Sequence, residues 1–194
     1  MQKAIVSTLI IFTTSTATTL NVPSQYSTIQ AAIDAASAGD TVLVANGTYT
    51  ENITFGGKKV VLASTFISTG NQSDISNTII DGNKAGAVVT FSGDNQHELK
   101  GFTIQNGTGW LNSSPALRWG GGIRIGGAAT NGGPTISDCI IENNEAYDGG
   151  GIHLHSSGAT LKNLTIRNNK ANGSGGGIFH WGSGVTLENV TISN

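Results

Sequence analysis

Residues 136–144 read Ile-Ser-Asp-Cys-Ile-Ile-Glu-Asn-Asn, and the same pattern returns at 161–169 and at 187–194. The shared pattern is apolar-x-x-apolar-x-Ile-x-Asn, and its copies begin 25 and 26 residues apart. A looser copy begins at Leu99. A fixed period in the twenties indicates a small unit that buries its apolar face only by stacking on its neighbours. The chain is therefore expected to form a solenoid.

Within each copy, apolar and polar residues alternate over short segments that are rich in Val, Ile and Thr, which favours strands over helices. Successive units would place these strands parallel, about 4.8 Å apart, so that like residues stack on like. Three inward columns follow: Leu99/Ile136/Leu161/Leu187, Phe102/Cys139/Leu164/Val190 and Ile104/Ile141/Ile166/Ile192. We predict an all-β fold, a right-handed parallel β-helix, with the hand taken from the general rule for parallel crossovers.

An asparagine closes each copy of the pattern, at Asn106, Asn143, Asn168 and Asn194. Asparagine tolerates the left-handed conformation that a tight turn requires. We expect these four residues to align at one corner of the solenoid, with their side-chain amides bonded in a ladder.

Residues 1 to about 20 are typical of a secretion signal. Lys3 supplies a positive charge, Ala4 to Phe12 is an apolar run, and Ser15-Thr16-Ala17 offers the small residues of a cleavage site. The apolar run is too short to span a bilayer. We therefore expect export, a mature chain beginning near Thr18, and a β-helix domain over 21–194. A retained first strand is the alternative.

A short helix is predicted at the start of that domain, over about 27–37. Ser27 and Gln30 have the spacing of a capping box, and Gly39 stands where a helix would end. Apolar residues recur between them at helical spacing, at Ile29, Ala32, Ile33 and Ala36. We interpret this helix as a cap over the open end of the apolar columns.

The composition limits the possible partners. The chain has 194 residues, a net charge of −2, only 11% charged residues and 28 glycines. A single domain is expected, and the low charge argues against nucleic acid or anionic lipid as a partner. The single cysteine, Cys139, lies in an inward column, so a buried apolar role is expected rather than a reactive thiol.

Less regular strands are predicted between residues 41 and 106, because short apolar segments alternate there with turn signals such as Asn46-Gly47 and Asp81-Gly82. The segments are Thr41–Val44, Ile53–Phe55, Val60–Leu62, Thr78–Ile80, Val88–Phe91 and Leu99–Ile104.

A series of motifs follows in a fixed order between residues 26 and 107: Tyr26 to Ile33, Gly39-Asp40-Thr41-Val42, Gly47 to Ile53, Thr78 to Gly82 and Gly101 to Gly107. This order resembles that of the secreted bacterial parallel β-helix proteins of the pectate-lyase-like superfamily. The later Ile-x-Asn-Asn and Gly-Gly-Gly-Ile phrases are also similar to the repeats of polymorphic outer membrane proteins, which are surface adhesins. The resemblance implies the fold and a secreted or outer-surface location. It does not fix the activity, because the fold hosts lyases, hydrolases, esterases and adhesins.

A candidate binding patch comes from a second repeated phrase, Gly-Gly-Ile, at 121–123, 150–152 and 176–178. Because its isoleucines face inward, the next residues, Arg124, His153 and Phe179, are expected to face outward in one column. Two residues further on, His155 and Trp181 form a column beside it. Flat rings, imidazoles and a guanidinium are suited to a neutral or weakly acidic glycan. An ordinary solvated face of the solenoid is the alternative.

Residues 107–119 interrupt the period and contain Trp110 and Trp119. Insertions in a solenoid project from one face, often the binding face. These two tryptophans could stack on sugar rings, or they could pin the loop to the solenoid.

No catalytic residue is predicted. The motifs of polygalacturonase-like hydrolases are absent, and pectinesterase-like enzymes are matched only at Gly47, Tyr49 and Glu51. A pectate-lyase-like enzyme would need a cluster of acidic residues for calcium beside a basic residue. Asp138, Glu142, Glu145 and Asp148 are acidic and near Arg124 and Arg167, but Asp138 falls in a column with Asn163 and Asn189 and the other three on a turn, which departs from that pattern. No cofactor is expected otherwise.

We therefore expect a secreted or surface-anchored, non-catalytic module for adhesion or carbohydrate contact, with a polysaccharide or cell-surface glycan as its partner. The alternative is a polysaccharide lyase or hydrolase acting on acidic glycans, with Ca²⁺ if it is a lyase. A third class, ice binding by stacked threonines, is disfavoured because Ile140 interrupts the column Thr103/Ile140/Thr165/Thr191. Since the repeat stops at Asn194 with an open column, further coils or an anchoring domain are expected to follow.

Overall fold

The computed structural model describes residues 16–92, 96–111, 118–127, 132–155, 158–182 and 184–193. Most of the predicted secretion signal and the ladder residue Asn194 lie outside these ranges.

Within the described residues the chain forms twenty strands and three short helices. The first half contains β1 Thr19–Val22, α1 Ile29–Ala35, β2 Thr41–Val44, β3 Gly47–Thr50, β4 Ile53–Phe55, β5 Val61–Ser64, α2 Phe66–Thr69, α3 Gln72–Asn77, β6 Thr78–Asp81 and β7 Val89–Ser92. The remainder contains β8 Glu98–Lys100, β9 Thr103–Gln105, β10 Trp110–Leu111, β11 Arg118–Trp119, β12 Ile123–Gly126, β13 Thr135–Ser137, β14 Ile140–Glu142, β15 Glu145–Ala146, β16 Ile152–His155, β17 Thr160–Arg167, β18 Lys170–Ala171, β19 Ile178–Trp181 and β20 Thr186–Ser193.

The strands stack in three parallel faces, as a β-helix requires. The first face runs β1-β2-β5-β8-β13 and continues into the first halves of β17 and β20. The second runs β3-β6-β9-β14 and continues into the second halves of the same two strands. The third runs β4-β7-β12-β16-β19. The predicted fold class is confirmed.

The core consists of the predicted inward columns. Register pairs Ile136 with Leu99 and Leu161, and Ile141 with Ile104 and Ile166, and all six side chains are fully buried. Cys139 is buried as predicted, and burial raises the pKa of its thiol to about 12. Leu187 and Ile192 on β20 are 56% and 52% exposed, because no described coil packs over this last strand.

The prediction for the asparagine corner is confirmed in its backbone conformation, but the predicted hydrogen bonds are wrong. Asn106, Asn143 and Asn168 have φ angles of 59°, 56° and 54°, as the left-handed turn requires. The amide ladder, however, forms one residue later: Nδ2 of Asn144 donates to Oδ1 of Asn169 at 3.0 Å. Nδ2 of Asn169 in turn donates to the carbonyl of Ile141 at 2.8 Å. Asn143 and Asn168 are exposed, whereas the residues that follow them point inward and satisfy the buried backbone of the corner.

The N-terminal helix is confirmed, but it is shorter than predicted and is capped differently. Oγ1 of Thr28 accepts from the amide of Ala31 at 3.2 Å, so the predicted capping box of Ser27 and Gln30 is wrong. The carboxylate of Glu51 accepts from the amides of Ile29 and Gln30, where the helix dipole favours a negative charge. The buried face of α1 packs on β1, β2 and β4, in the position of a cap.

Several elements were not predicted. β1 begins at Thr19, so cleavage of the predicted secretion signal near residue 18 would leave this strand intact, whereas cleavage after residue 20 would remove half of it. Helices α2 and α3 form an insertion between β5 and β6. None of the described helices is long and apolar enough to cross a membrane.

Candidate ligand-binding cleft on the third face

Glycine corners position the three strands that carry the predicted patch. Gly120, Gly149 and Gly175 precede β12, β16 and β19 and have φ angles of 64°, 65° and 69°. A Cβ on Gly149 would lie 2.5 Å from the carbonyl oxygen of Ile152. Only glycine fits this turn. The three corner glycines therefore give the strands that follow them the same direction.

The first predicted outward column is present. Register aligns Arg124 with His153 and His153 with Phe179. The His153 ring stacks on Phe179, with ring centroids 5.2 Å apart and an interplanar angle of 15°. On its other side it stacks on Trp119, at 5.5 Å and 10°. His153 is thus held between two aromatic rings and is only 6% exposed.

Trp119 reaches this stack from the insertion, where β10 and β11 form an antiparallel hairpin. The backbone of Trp119 also bridges to Asp148 on the next coil. Of the two predicted tryptophans, Trp119 therefore joins the site. Trp110 pairs with it in the hairpin, but the Trp110 side chain lies outside what the structure describes.

The second predicted column aligns Gly126, His155 and Trp181. Trp181 is 69% exposed and meets the His155 ring edge-on at 6.3 Å. Gly126 leaves a space in this column, and the Arg124 guanidinium fills it: a Cβ on Gly126 would lie 2.9 Å from Nη2 of Arg124. The small residue at 126 therefore brings a cation into line with His155 and Trp181.

These side chains enclose a cleft of about 250 Å³, which we call the aromatic cleft. Its lining consists of Trp119, Arg124, Gly126, Gly127, Asp148, His153, His155, Phe179 and Trp181. Six of the seven residues predicted to bind a ligand come together here. Asp148 was missed as a cleft residue, although its position was available from sequence: like Trp119, it immediately precedes a corner glycine.

The electrostatics of the aromatic cleft keep its central ring neutral. Burial lowers the pKa of His153 to about 4, and Arg124 adds to the effect, while Asp148 opposes it. Burial also lowers the pKa of Arg124. Oδ1 of Asp148 accepts from the amide of Ser174 at 2.7 Å, which ties this carboxylate to the neighbouring coil.

A larger groove of about 430 Å³ lies at a different corner, between α3 and the side chains of Asp138, Asn163 and Asn189; we call it the corner groove. Those three side chains form a hydrogen-bonded ladder, and Nζ of Lys100 pairs with Asp138. No aromatic side chain lines this groove among the described residues.

Other surface side chains have structural roles. Nε of Arg167 lies 2.6 Å from Oε2 of Glu142, and the two form an ion pair between adjacent coils. Such a partly exposed pair contributes about 0–1 kcal/mol. Thr103 is buried and its Oγ1 donates to the carbonyl of Ile75, so the threonine column is not a continuous surface. Among the described residues, no three histidine, cysteine or carboxylate side chains are grouped as a metal site would require.

The sequence matches the family model described as right handed beta helix region over residues 10–194. No curated protein and no solved structure matches it significantly.

Proposed function

We propose a carbohydrate-binding role for the aromatic cleft of this chain, which belongs to the family of right-handed β-helix proteins. The observation that carries the proposal is the combination of an exposed indole, Trp181, with stacked flat rings and hydrogen-bond donors in one cleft. Sugars need both kinds of surface, because their CH faces pack on aromatic rings while their hydroxyls require polar partners.

The dimensions and charges of the aromatic cleft support one sugar unit of a longer glycan. Its volume of about 250 Å³ is below the range of about 300–1,000 Å³ that is typical of pockets for drug-sized molecules. The Arg124 guanidinium is a donor for hydroxyls or a carboxylate, so a neutral or weakly acidic glycan suits the cleft. Neighbouring sugar units of the glycan would extend over the exposed face of Trp181.

We further propose that the protein acts outside the cell, as a secreted or surface-anchored module for adhesion or glycan contact. Support comes from the N-terminal residues, where a lysine, an apolar run and small residues follow in the order of a secretion signal. A polysaccharide or cell-surface glycan is the proposed partner.

A second candidate is a polysaccharide lyase acting on acidic glycans, because Arg124 lines the aromatic cleft and its guanidinium can pair with a carboxylate of such a substrate. Absorbance of unsaturated product from polygalacturonate or alginate, with and without Ca²⁺, tests this candidate. Product at enzymatic rates would replace the non-catalytic function.

A glycan array with the wild type, Trp181→Ala and His153→Ala tests the binding function. We expect the wild type to retain a defined set of glycans, and both variants to lose most of that signal while remaining folded. Retention of no glycan by the wild type would overturn the proposal. Equal retention of glycans by all three proteins would show that the binding site lies outside the aromatic cleft.

A further inference from the structure

The two ring nitrogens of His153 lie in different surroundings. Nδ1 is sealed from solvent and has no hydrogen-bond partner among the described residues. The ring itself borders the aromatic cleft. Because Nδ1 is closed off, Nε2 is the nitrogen through which the ring can reach a ligand.

The buried Nδ1 determines where the proton of the neutral ring resides. A neutral imidazole carries one N–H donor and one acceptor nitrogen. A buried N–H without an acceptor is more costly than a buried lone pair without a donor, and orphaned buried N–H groups are rare in proteins. The proton therefore belongs on Nε2, facing the cleft.

The charged and titratable groups around His153 keep this arrangement in place at neutral pH. Arg124 on β12 disfavours a second proton on His153, as does His155, which lies on β16 with His153, and Asp148 favours one. Burial has the largest influence and outweighs the carboxylate. The aromatic rings of Trp119 and Phe179 hold the imidazole plane from both sides.

We propose that His153 is a specificity-determining residue, an uncharged donor whose Nε2–H meets an acceptor oxygen of the bound sugar. The inference rests on the proposed glycan function. Arg124 can likewise only donate, so the part of the sugar that meets His153 and Arg124 must present acceptors, such as a ring oxygen, a glycosidic oxygen or a carboxylate. A hydroxyl fits beside these two residues only as an acceptor, and it can donate its own proton to Asp148, which also lines the cleft.

Two measurements test this proposal. The first is ¹⁵N NMR of the histidine rings in the free protein, which reports which nitrogen carries the proton. We expect His153 to be protonated on Nε2 and neutral at pH 7. A proton on Nδ1 overturns the proposal, whatever the protein binds.

The second measurement is retention of the wild type, His153→Phe and His153→Gln on cellulose, xylan and polygalacturonate gels. Phenylalanine keeps a flat ring between Trp119 and Phe179 but has no N–H, and glutamine restores a donor at a similar reach. We expect about tenfold weaker retention for His153→Phe, with an unfolding midpoint at pH 7 no lower than that of the wild type, and partial recovery for His153→Gln.

The outcomes separate this inference from the function on which it rests. If His153→Phe is retained as strongly as the wild type, the donor role is wrong and the glycan function stands. If none of the three gels retains the wild type, the glycan function is overturned for these probes, and the donor role with it.

Discussion

Under the proposed glycan function, Trp181 is the residue of the aromatic cleft on which binding should depend most. Its indole is the most exposed aromatic ring of the cleft and contacts only the edge of His155 among the rings described. Trp181→Ala should weaken glycan binding by about 1–3 kcal/mol, because exposed aromatic contacts dominate such interfaces. It should leave the free energy of unfolding within about 0.5 kcal/mol of the wild type. Titration calorimetry and urea unfolding measure the two quantities.

Ile166→Ala is the matched core control. Ile166 is fully buried and pairs in register with Ile141 and Ile192. Truncation leaves a cavity between coils and should lower the free energy of unfolding by about 2–5 kcal/mol. If Trp181→Ala unfolds as easily as Ile166→Ala, the indole is part of the core and not a binding surface.

Two buried histidines predict a loss of stability in mild acid. His97 is enclosed in the core, where its Nδ1 accepts from the amide of Val60 and its Nε2 lies 3.1 Å from the carbonyl of Gly56. Burial lowers the pKa of both His97 and His153, the latter to about 4. In the unfolded chain these histidines bind protons near pH 6.5, whereas in the folded chain they do not. Their contribution to the free energy of unfolding is therefore fully present above pH 6.5 and is lost as the pH drops towards 4.

Urea unfolding between pH 7 and pH 4 measures this effect. His153 alone should account for about 3 kcal/mol of the decrease when the pH has fallen to 4. His153→Phe removes that titration, so its stability should depend less on pH than that of the wild type over the same window. An unchanged pH dependence in His153→Phe would show that His153 charges as readily in the folded protein as in the unfolded chain.

At the scale of single elements, the glycine corners fix the direction of the cleft strands. Gly149→Ala places a Cβ 2.5 Å from the carbonyl of Ile152 and forces alanine to a φ of 65°. Such strain costs about 1–3 kcal/mol, and we expect at least that loss in urea unfolding, with weaker glycan binding because β16 shifts. Gly57→Ala is the control, since nothing lies within 4 Å of a Cβ there. Equal stability of the two variants would contradict the role of the corner.

The amide ladder gives a second prediction for the corners. Asn169→Ala removes the partner of the Ile141 carbonyl and of the Asn144 amide, which are buried, so stability should fall by about 1–3 kcal/mol or more. Asn168→Gly is the control, because residue 168 is exposed and glycine tolerates its φ of 54°. Urea unfolding should rank Asn169→Ala well below Asn168→Gly. The reverse order would place the ladder at Asn168.

These elements show how far the sequence determines the structure. The 25- and 26-residue steps predict the register of every strand in the last three coils, because a one-residue slip would turn each inward isoleucine to solvent. The same steps do not distinguish Asn168 from Asn169, since both asparagines repeat. The helix cap, formed by Thr28 and Glu51, differs from the prediction for another reason. Glu51 lies 22 residues from Ile29 in sequence and reaches the helix only through the stacked coils, so a local sequence pattern does not reveal it.

At the scale of the whole molecule, stacking assembles the aromatic cleft from separate coils. The alternation after each glycine corner predicts Arg124, His153 and Phe179 in one column. It does not predict that Trp119 covers His153, because that contact depends on the path of a hairpin outside the repeat. Nor does it predict that Arg124 folds over Gly126, which follows from the space available in the neighbouring column. The cleft exists because Trp119 stacks on His153 and the Arg124 guanidinium lies over Gly126.

A crystal structure of the protein with a glycan retained on the array tests the central claim most directly. We predict one sugar ring packed on the indole of Trp181, with Nε2 of His153 and the guanidinium of Arg124 donating to its oxygens. A glycan bound in the corner groove beside Asp138, Asn163 and Asn189, with the aromatic cleft empty, would contradict the account.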